Sequence, residues 1–285
     1  MSQCKFAYVI LHYNTVKDTE ECVASIRENA CGSYKIIVVD NCSPNGSGAV
    51  IEKEYKDAED VHVILNTVNE GFARGNNRGF IYAKKQWGAE FIVLMNNDTM
   101  LISCDFQQKV EEEYAGSKCG VVGPLIHTPD NRYIATPDNR PSLIHEIYEQ
   151  LKQYIYWVLS YCRDMDIKVH KCYKAVNPRS NTDNTERREN VILNGCCWIF
   201  TPEYISRFDG LNDKTFLYYE ENILYLRCLK AGLKTVYLPT IEIYHKEDAA
   251  TNSLKFQTDR NKRRFIYKYV TQSKWVMIRE MLNRK

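Results

Sequence analysis

The sequence predicts an α/β fold in which helices flank a mostly parallel central sheet. Over residues 1–125, short apolar runs alternate with segments of helical spacing. The runs lack an alternating polar face, which is typical of strands buried on both sides. Polar residues follow four of these runs, at the edge where doubly wound sheets bind ligands. We therefore expect a ligand site beyond the strand ends.

The alternation in this first half defines five strands and four helices. The strands are predicted at 6–11, 34–40, 61–65, 90–95 and 120–123, and the helices between them at 19–29, 48–55, 73–87 and 105–114. Strands that alternate with helices in this way are typical of a doubly wound parallel sheet.

Residues 128–190 are predicted to be an insertion or lid. Three prolines and several polar residues indicate a loop at 128–141, and 177–190 shows no apolar period. An apolar stripe at 142–162 predicts one long helix that contains several Tyr and a Trp. Such a helix fits either a membrane surface or an acceptor-facing role, although packing on the core is the commoner fate of such a stripe.

Residues 191–285 resume the apolar pattern. Strands are predicted at 191–200, 234–238 and 241–244, with Pro239 separating the last two. A helix is predicted at 216–231, ended by Gly232, and a basic amphipathic helix at 258–282.

Composition excludes several classes of protein. The chain has 285 residues, of which 44% are hydrophobic and 26% charged, and its net charge is +2. These values are typical of a globular enzyme-sized domain and exclude a disordered chain, a coiled coil and a dedicated nucleic-acid binder. The 11 cysteines form no Cys-x-x-Cys pair, so we expect reduced thiols in a cytosolic protein. No secretory leader or membrane-spanning stretch is expected.

Positive charge is concentrated near the C-terminus. Residues 255–285 contain ten Lys/Arg and two Asp/Glu. Two interpretations stay open: an anionic partner for this segment, or a solvated helix face.

The polar cluster after the second strand and the segment 69–79 carry residues suited to a nucleotide. Asp40 ends a buried strand, where a carboxylate accepts hydrogen bonds from a base or ribose, or caps the next helix. Gly71 allows close approach of backbone to a ligand. Arg74 lies in the first turn of the next helix, where free N–H groups hold phosphate.

Carboxylates elsewhere suggest a metal and a general base. Asn96, Asn97 and Asp98 follow the fourth strand, and their oxygens suit Mg²⁺ or Mn²⁺ if diphosphate completes the shell; a helix-initiating turn is the alternative. His245 ends a later strand and is a candidate further ligand, although a lone His is usually structural. Glu220 and Glu221 follow an aromatic run, and partial burial there would raise a carboxyl pKa and suit a base.

Taken in order, these residues resemble family 2 glycosyltransferases of the GT-A fold, in particular the bacterial rhamnosyltransferase-like branch. The resemblance rests on motifs at 9–14, 38–41, 69–77, 94–99, 194–195 and 219–221, and on His245. It extends over about residues 5–265. It implies a GT-A type α/β fold with a helical insertion and a C-terminal basic helix.

The resemblance also implies a role for each matching residue. Tyr13 and Asp40 would hold the nucleobase, and Asn69, Gly71, Arg74, Asn77 and Asn97 the rest of the nucleotide and its phosphates. Asp98, with Asn96 and His245, would bind the metal. Glu221 would be the catalytic carboxylate with Glu220 beside it, and Asn194, Gly195 and Trp198 would lie near the donor sugar or acceptor.

The implied reaction is inverting transfer of rhamnose or another hexose from a UDP- or dTDP-linked sugar to a hydroxyl of a growing surface glycan, lipid-linked or free. A divalent metal, Mg²⁺ or Mn²⁺, would be the cofactor. The enzyme would act in the cytoplasm, in contact with the anionic inner face of the plasma membrane, without a nucleic-acid partner. The implied division is a nucleotide-sugar-binding half (1–127), the insertion (128–190), an acceptor or catalytic half of the same domain (191–255) and the basic helix (256–285).

Two other functions stay open. Asn96 replaces the first Asp of the family's D-x-D motif and Leu224 replaces a later acidic residue, which would suit a catalytically silent nucleotide-sugar or glycan-binding protein. A sugar nucleotidyltransferase has a similar layout. It usually carries a glycine-rich basic loop after its first strand, where this sequence has His12, Tyr13 and Asn14.

Overall fold

A computed structural model describes residues 4–129, 142–162, 185–246 and 258–283. The strands are β1 (Phe6–His12), β2 (Tyr34–Asp40), β3 (Val61–Leu65), β4 (Phe91–Asn96), β5 (Thr99–Leu101), β6 (Val121–His127), β7 (Arg188–Glu189), β8 (Cys197–Phe200) and β9 (Thr235–His245). The helices are α1 (Val16–Asn29), α2 (Ser47–Glu54), α3 (Gly71–Gln86), α4 (Phe106–Ser117), α5 (Leu143–Leu159), α6 (Pro202–Ile205), α7 (Glu220–Lys230) and α8 (Asp259–Leu282).

One mixed sheet runs through the fold in the order β3-β2-β1-β4-β8-β6-β9-β5, with β7 on β9. Strands β1 to β4 are parallel, as predicted, and β8 lies antiparallel between β4 and β6. Because β8 and β9 belong to the same sheet as β1 to β6, the later part of the chain extends the first sheet. The α/β fold and its predicted parallel half are confirmed.

Apolar residues cover both faces of the sheet. One face of β1 contributes Tyr8 and Ile10 to a core with Phe106, and the other contributes Ala7 and Val9 to a core with Phe80. This alternation explains why the strand reads as a continuous apolar run. The register aligns Leu11 with Asn96 and His12 with Asp40, so the polar residues that follow these strands emerge at one edge.

Three strands predicted in the later half of the chain differ from the structure. The segments predicted at 234–238 and 241–244 form the single strand β9, because an irregularity in its pairing with β6 accommodates Pro239. The strand predicted at 191–200 is limited to Cys197–Phe200. Ahead of it the Asn194 Oδ1 atom accepts a hydrogen bond from the Cys196 N–H, which makes a turn in place of a ladder. The short strands β5 and β7 were not predicted.

The helix predicted at 216–231 begins only at Glu220. Tyr218 and Tyr219 have φ of 75° and 66°, the left-handed conformation that stops a helix from extending towards its N-terminus. The long helix predicted at 142–162 is confirmed as α5, and it packs against the basic helix α8, which is also confirmed. Most of the loop predicted at 128–141, and most of 177–190, lie outside the described residues.

The ten cysteines in the described ranges are free thiols. Within those same ranges, no helix combines the length and apolar content needed to cross a bilayer.

Candidate active site

A cavity of about 500 Å³ opens at the carboxyl edge of the parallel strands. It is lined by strand ends on one side and by the segments around residues 194–198 and 216–221 on the other. The lining residues are Leu11, Tyr13, Asn41, Asn69, Gly71, Phe72, Asn96, Asn97, Asn194, Gly195, Cys196, Trp198, Phe216, Leu217, Tyr218, Tyr219, Glu220, Glu221, His245 and Phe265. Eleven of the predicted site residues are among them.

Four of the residues predicted to bind the nucleotide lie on this wall: Tyr13, Asn69, Gly71 and Asn97. The amide of Asn97 donates to the hydroxyls of Thr15 (2.8 Å) and Thr19 (3.1 Å), which orients it at the end of β4. Asn97 is 2% exposed, so its amide is buried at the cavity wall, where these two bonds hold it.

Asn41 organises the same wall, and the sequence reasoning did not select it. Its side-chain N–H₂ donates to Asn69 Oδ1 (3.0 Å) and to the Gly71 carbonyl (3.1 Å). Its Oδ1 accepts from the Asn66 side chain (3.2 Å) and from the Glu70 N–H (3.0 Å). One buried amide therefore ties the end of β2 to the loop before α3. The sequence feature that could have identified Asn41 is its position directly after Asp40, within the 38–41 motif that carries the family resemblance.

Gly71 is a glycine for a geometric reason. Its φ is +79°, and a Cβ there would overlap the backbone of Phe216. The neighbouring Phe72 N–H donates to the Phe216 carbonyl at 2.7 Å. The loop before α3 thus lies directly against the segment that leads into α7, and the two walls of the cavity meet at this contact.

Asp98 and His245 form a pair at the cavity's edge. The Asp98 Oδ1 atom lies 3.2 Å from His245 Nε2, and the Lys246 N–H donates to the Asp98 carbonyl at 3.0 Å. Asp98 is 3% exposed. Neither Asp98 Oδ1 nor His245 Nδ1 has a hydrogen-bond partner of good geometry within the described part of the chain.

This pair fits a divalent metal. The buried Asp98 carboxylate and His245 supply two protein ligands. Asn96, which lines the cavity as His245 does, is a candidate third, and substrate phosphates usually complete such a shell. No cluster of three or more His, Cys, Asp or Glu is present in the described ranges, so the protein ligands alone would not enclose an ion.

Glu220 and Glu221 enter the cavity from the first turn of α7. The left-handed Tyr218 and Tyr219 turn the chain so that this helix begins at the cavity wall. Glu221 Oε1 accepts from the Gly195 N–H at 2.8 Å, which fixes its carboxylate against the 194–198 segment. Burial raises the pKa of Glu221, and the bond from Gly195 opposes that rise. Burial raises the pKa of Glu220 to about 7.

The predicted sugar-side residues lie opposite the strand ends. Asn194, Gly195 and Trp198 all line the cavity. The Trp198 indole is fully buried and its Nε1 donates to the Leu193 carbonyl at 3.3 Å. It packs edge-on to Phe72, with ring centroids 6.1 Å apart, so it is a rigid part of the wall.

Four predicted residues do not line the cavity: Asp98, which is buried beside His245, and Asp40, Arg74 and Asn77. Asp40 is buried and accepts from the N–H and hydroxyl of Ser43, so it shapes the turn after β2. Arg74 is exposed and its Nε donates to the Asp213 carbonyl at 2.8 Å. Asn77 makes two bonds to the backbone of Leu211, at 3.0 and 2.7 Å, and thereby links α3 to the 210–213 loop.

An aromatic group from distant parts of the chain completes the lining. Phe216 stacks on Tyr269 of α8 at 4.5 Å, and Phe265 of α8 meets the same ring at 4.6 Å. Phe216 and Phe265 both line the cavity. Only the helical spacing of α8 was visible in the sequence, and this spacing does not reveal which face meets the site.

A family model described as Glycosyl transferase family 2 matches residues 8–208, which is more than half of the chain. The chain belongs to glycosyl transferase family 2. It is accordingly a glycosyltransferase, and inversion at the anomeric carbon is consistent with this family.

Relatives in sequence and in structure agree with this assignment. Two curated proteins from two strains of Mycobacterium tuberculosis, each named N-acetylglucosaminyl-diphospho-decaprenol L-rhamnosyltransferase, are 21% identical over 254 residues, which cover 85% of this chain and 76% of theirs. The solved structure of S. aureus TarS 1-349 in complex with UDP has a TM-score of 0.56 at 13% identity, covering 99% of this chain and 66% of that one.

A further solved structure, GalNAc-T7 with UDP, GalNAc and Mn²⁺, has a TM-score of 0.55 at 11% identity, covering 86% of this chain and 44% of that one. At these identities the likeness shows the fold alone. The predicted GT-A type fold of the glycosyltransferase family is thereby confirmed.

Proposed function

We propose that this glycosyltransferase moves a hexosyl group, rhamnose or a similar sugar, from a UDP- or dTDP-linked donor to a hydroxyl of a growing surface glycan. The observation that carries the proposal is the joint placement of three features on one cavity. These are the strand-end amides, the Asp98–His245 pair at 3.2 Å, and the Glu221 carboxylate held by the Gly195 N–H. The names of the mycobacterial relatives support rhamnose as the sugar and a lipid-linked acceptor.

In the proposed reaction Glu221 removes the proton from an acceptor hydroxyl. The hydroxyl oxygen attacks the anomeric carbon from the face opposite the nucleotide, and the bond from that carbon to the diphosphate oxygen breaks. The nucleoside diphosphate leaves with the electron pair of that bond, and a single displacement inverts the anomeric centre. The Gly195 N–H orients the base, and burial keeps its proton affinity closer to that of the incoming hydroxyl.

Asp98 and His245, with Asn96 nearby, are the residues proposed to hold Mg²⁺ or Mn²⁺. When bound, such an ion supplies positive charge to the diphosphate leaving group. On the nucleotide side, the proposal keeps Tyr13, Asn69, Gly71 and Asn97, and it adds Asn41.

Asp40, Arg74 and Asn77 have a different place in the proposal. Their side chains hold the turns and loops around the cavity, so we assign them a supporting role, and Arg74 would reach a phosphate only by leaving the Asp213 carbonyl. The proposal also retains a cytoplasmic location beside the inner face of the plasma membrane.

The test is release of nucleoside diphosphate from UDP- and dTDP-sugars, measured with Mn²⁺, Mg²⁺ or EDTA. Release that needs a metal and yields a sugar of inverted configuration would support the proposal. Asp98→Ala should weaken metal-dependent donor binding in titration calorimetry. Equal affinity of this variant and the parent protein, with metal present, would remove Asp98 from the proposed site.

A further inference from the structure

The long helix α5 leaves most of its large apolar side chains exposed, while the residues that it buries are Gln150 and Gln153. Eight of the fifteen large hydrophobic side chains exposed in the described residues lie between 144 and 161. They form what we call the α5 stripe: Ile144, Ile147, Tyr148, Leu151, Tyr154, Ile155, Val158 and Tyr161. A helix at the boundary between protein and water normally turns its apolar side chains towards the core and its polar side chains towards water.

Polar groups on the inward side of α5 are bonded to α8. Gln150 is 1% exposed and donates to the Thr271 carbonyl at 3.0 Å. Glu146 lies 3.0 Å from the ammonium of Lys274, itself buried. These contacts fix the rotation of α5 about its axis. The outward position of the α5 stripe is therefore determined by bonded polar groups rather than by loose packing.

Positive charge lies at the C-terminal end of the stripe. Arg260 donates to the carbonyls of Ser160 (3.2 Å) and Tyr161 (2.7 Å), and the Arg264 guanidinium lies 4.3 Å from the centre of the Tyr161 ring. Both arginines belong to the segment 255–285, which contains ten basic and two acidic residues. The acidic residues of α5 are paired, since Glu149 meets Lys152 at 2.7 Å and Glu146 meets Lys274.

The stripe also lies close to the cavity in the fold. Phe265, which lines the cavity, directly follows Arg264, and Arg264 contacts the end of α5. One short stretch of α8 therefore contacts the stripe's helix on one side and the cavity on the other.

We propose that the α5 stripe docks on the surface of an anionic lipid bilayer, with α5 lying in the plane of that surface. Aliphatic side chains interleaved with tyrosines suit the headgroup boundary, because a tyrosine ring is apolar while its hydroxyl remains hydrated. The adjacent basic segment supplies attraction to anionic headgroups. The 17 residues of α5 make a docking edge about 26 Å long.

The basic charge favours lipid over a protein partner as the occupant of the stripe. Docking would present the nearby cavity to an acceptor anchored in the same bilayer; that consequence rests on the proposed function, whereas the docking itself does not.

The experiment is flotation of the full-length chain with vesicles of phosphatidylcholine alone or mixed with phosphatidylglycerol. Ile155→Glu places a charge at the centre of the stripe, where the side chain is 53% exposed. Val50→Glu on α2 is the matched control, since Val50 is 52% exposed on a helix away from α5. Thermal unfolding with and without UDP or dTDP checks, for all three proteins, that the fold and the nucleotide site are intact.

We expect the parent protein and Val50→Glu to float with phosphatidylglycerol vesicles, less at high salt and less with phosphatidylcholine alone. Ile155→Glu should partition at least about tenfold more weakly. The proposal is overturned if the parent protein does not bind these vesicles, if Ile155→Glu binds equally, or if binding ignores lipid charge. It is also overturned if the parent protein self-associates in sedimentation through the stripe and leaves the vesicles unbound. Nucleotide binding without flotation would refute the docking and leave the proposed reaction standing.

Discussion

Glu220 and Glu221 are adjacent in the chain, yet their surroundings differ. Glu221 has one oxygen fixed by the Gly195 N–H, whereas Glu220 is 8% exposed and its Oε1 has no hydrogen-bond partner within the described ranges. The sequence predicted that one of the two is the base and favoured Glu221. The bond to the 194–198 segment supports this preference, because a base acts best when a neighbour holds its direction.

We expect Glu221→Gln to lose transfer by about 10²-fold or more while donor binding is kept, because the amide keeps the size of the side chain but takes no proton. Turnover with a saturating nucleotide sugar measures the first effect and titration calorimetry the second. Glu220→Gln is the matched control. A larger loss in Glu220→Gln than in Glu221→Gln would transfer the role of base to Glu220.

Glu220 also makes a prediction about stability. Its pKa is raised from 4.5 to about 7 by burial, so the folded protein holds this proton more tightly than the unfolded chain does. The free energy of unfolding should therefore fall as the pH rises from about 4.5 to about 7. Above that range the buried carboxylate is ionised, and the loss of stability is complete.

Replacing the Glu220 carboxyl by a neutral amide should remove this loss of stability at high pH. At pH 8 we expect Glu220→Gln to be more stable than the parent protein by roughly 2–3 kcal/mol, and no more stable near pH 4. Urea unfolding at several pH values measures the difference, with Glu52→Gln on the exposed side of α2 as the control. Equal pH dependence of Glu220→Gln and the parent protein would contradict the account.

Among the elements, the loop that leads into α3 joins the two walls of the cavity. Gly71 has a left-handed φ, and it lies so close to Phe216 that a Cβ would overlap backbone. Gly32 has a similar φ of +72° but open space where a Cβ would be. The two glycines therefore separate the cost of backbone strain from the cost of the close contact.

We expect Gly32→Ala to lower the free energy of unfolding by about 1 kcal/mol, because only the backbone conformation is strained. Gly71→Ala should lower it by about 2 kcal/mol or more, because the Cβ also overlaps the Phe216 backbone. Gly71→Ala should in addition weaken UDP or dTDP binding, because the overlap displaces Asn69 and Phe72 from the lining. Urea unfolding and calorimetric titration measure the two effects. Equal losses in both variants, with nucleotide binding intact, would show that the contact with Phe216 does not shape the site.

The sequence predicted the elements best where one local pattern determines them. The buried strands of the first half are continuous apolar runs, and the polar residues after them identified most of one cavity wall. The later half was harder, because the path of the chain there depends on side chains from elsewhere. The Gly195 N–H donates to Glu221 instead of to a strand, and the left-handed Tyr218 and Tyr219 delay the start of α7.

For similar reasons, three residues that the motifs predicted to bind the nucleotide instead hold the turns and loops that surround the cavity. Asp40, Arg74 and Asn77 stand in the expected motifs, but their partners are Ser43, the Asp213 carbonyl and the Leu211 backbone. Phe265 is the reverse case: it lines the cavity, although the helical spacing of α8 does not indicate which face of that helix meets the cavity.

At the scale of the whole molecule, one sheet holds together parts that lie far apart in the chain. The end of β9 brings His245 to Asp98, α7 brings Glu221 to Gly195, and α8 brings Phe265 to the cavity. The cavity lining draws on elements from β1 to α8, so a ligand that filled it would contact all of them at once. Its binding should therefore stabilise the fold as a unit.

A thermal-unfolding screen of UDP, dTDP and their sugars, each with Mn²⁺, Mg²⁺ or EDTA, tests the central claim that this cavity is a nucleotide-sugar site. A ligand at about 100 times its dissociation constant adds about 2.7 kcal/mol, which raises the unfolding temperature of a chain of this size by several degrees. The account predicts such a shift for one nucleotide class and its loss in EDTA. No shift with any nucleotide, for a protein that unfolds cooperatively, would contradict it.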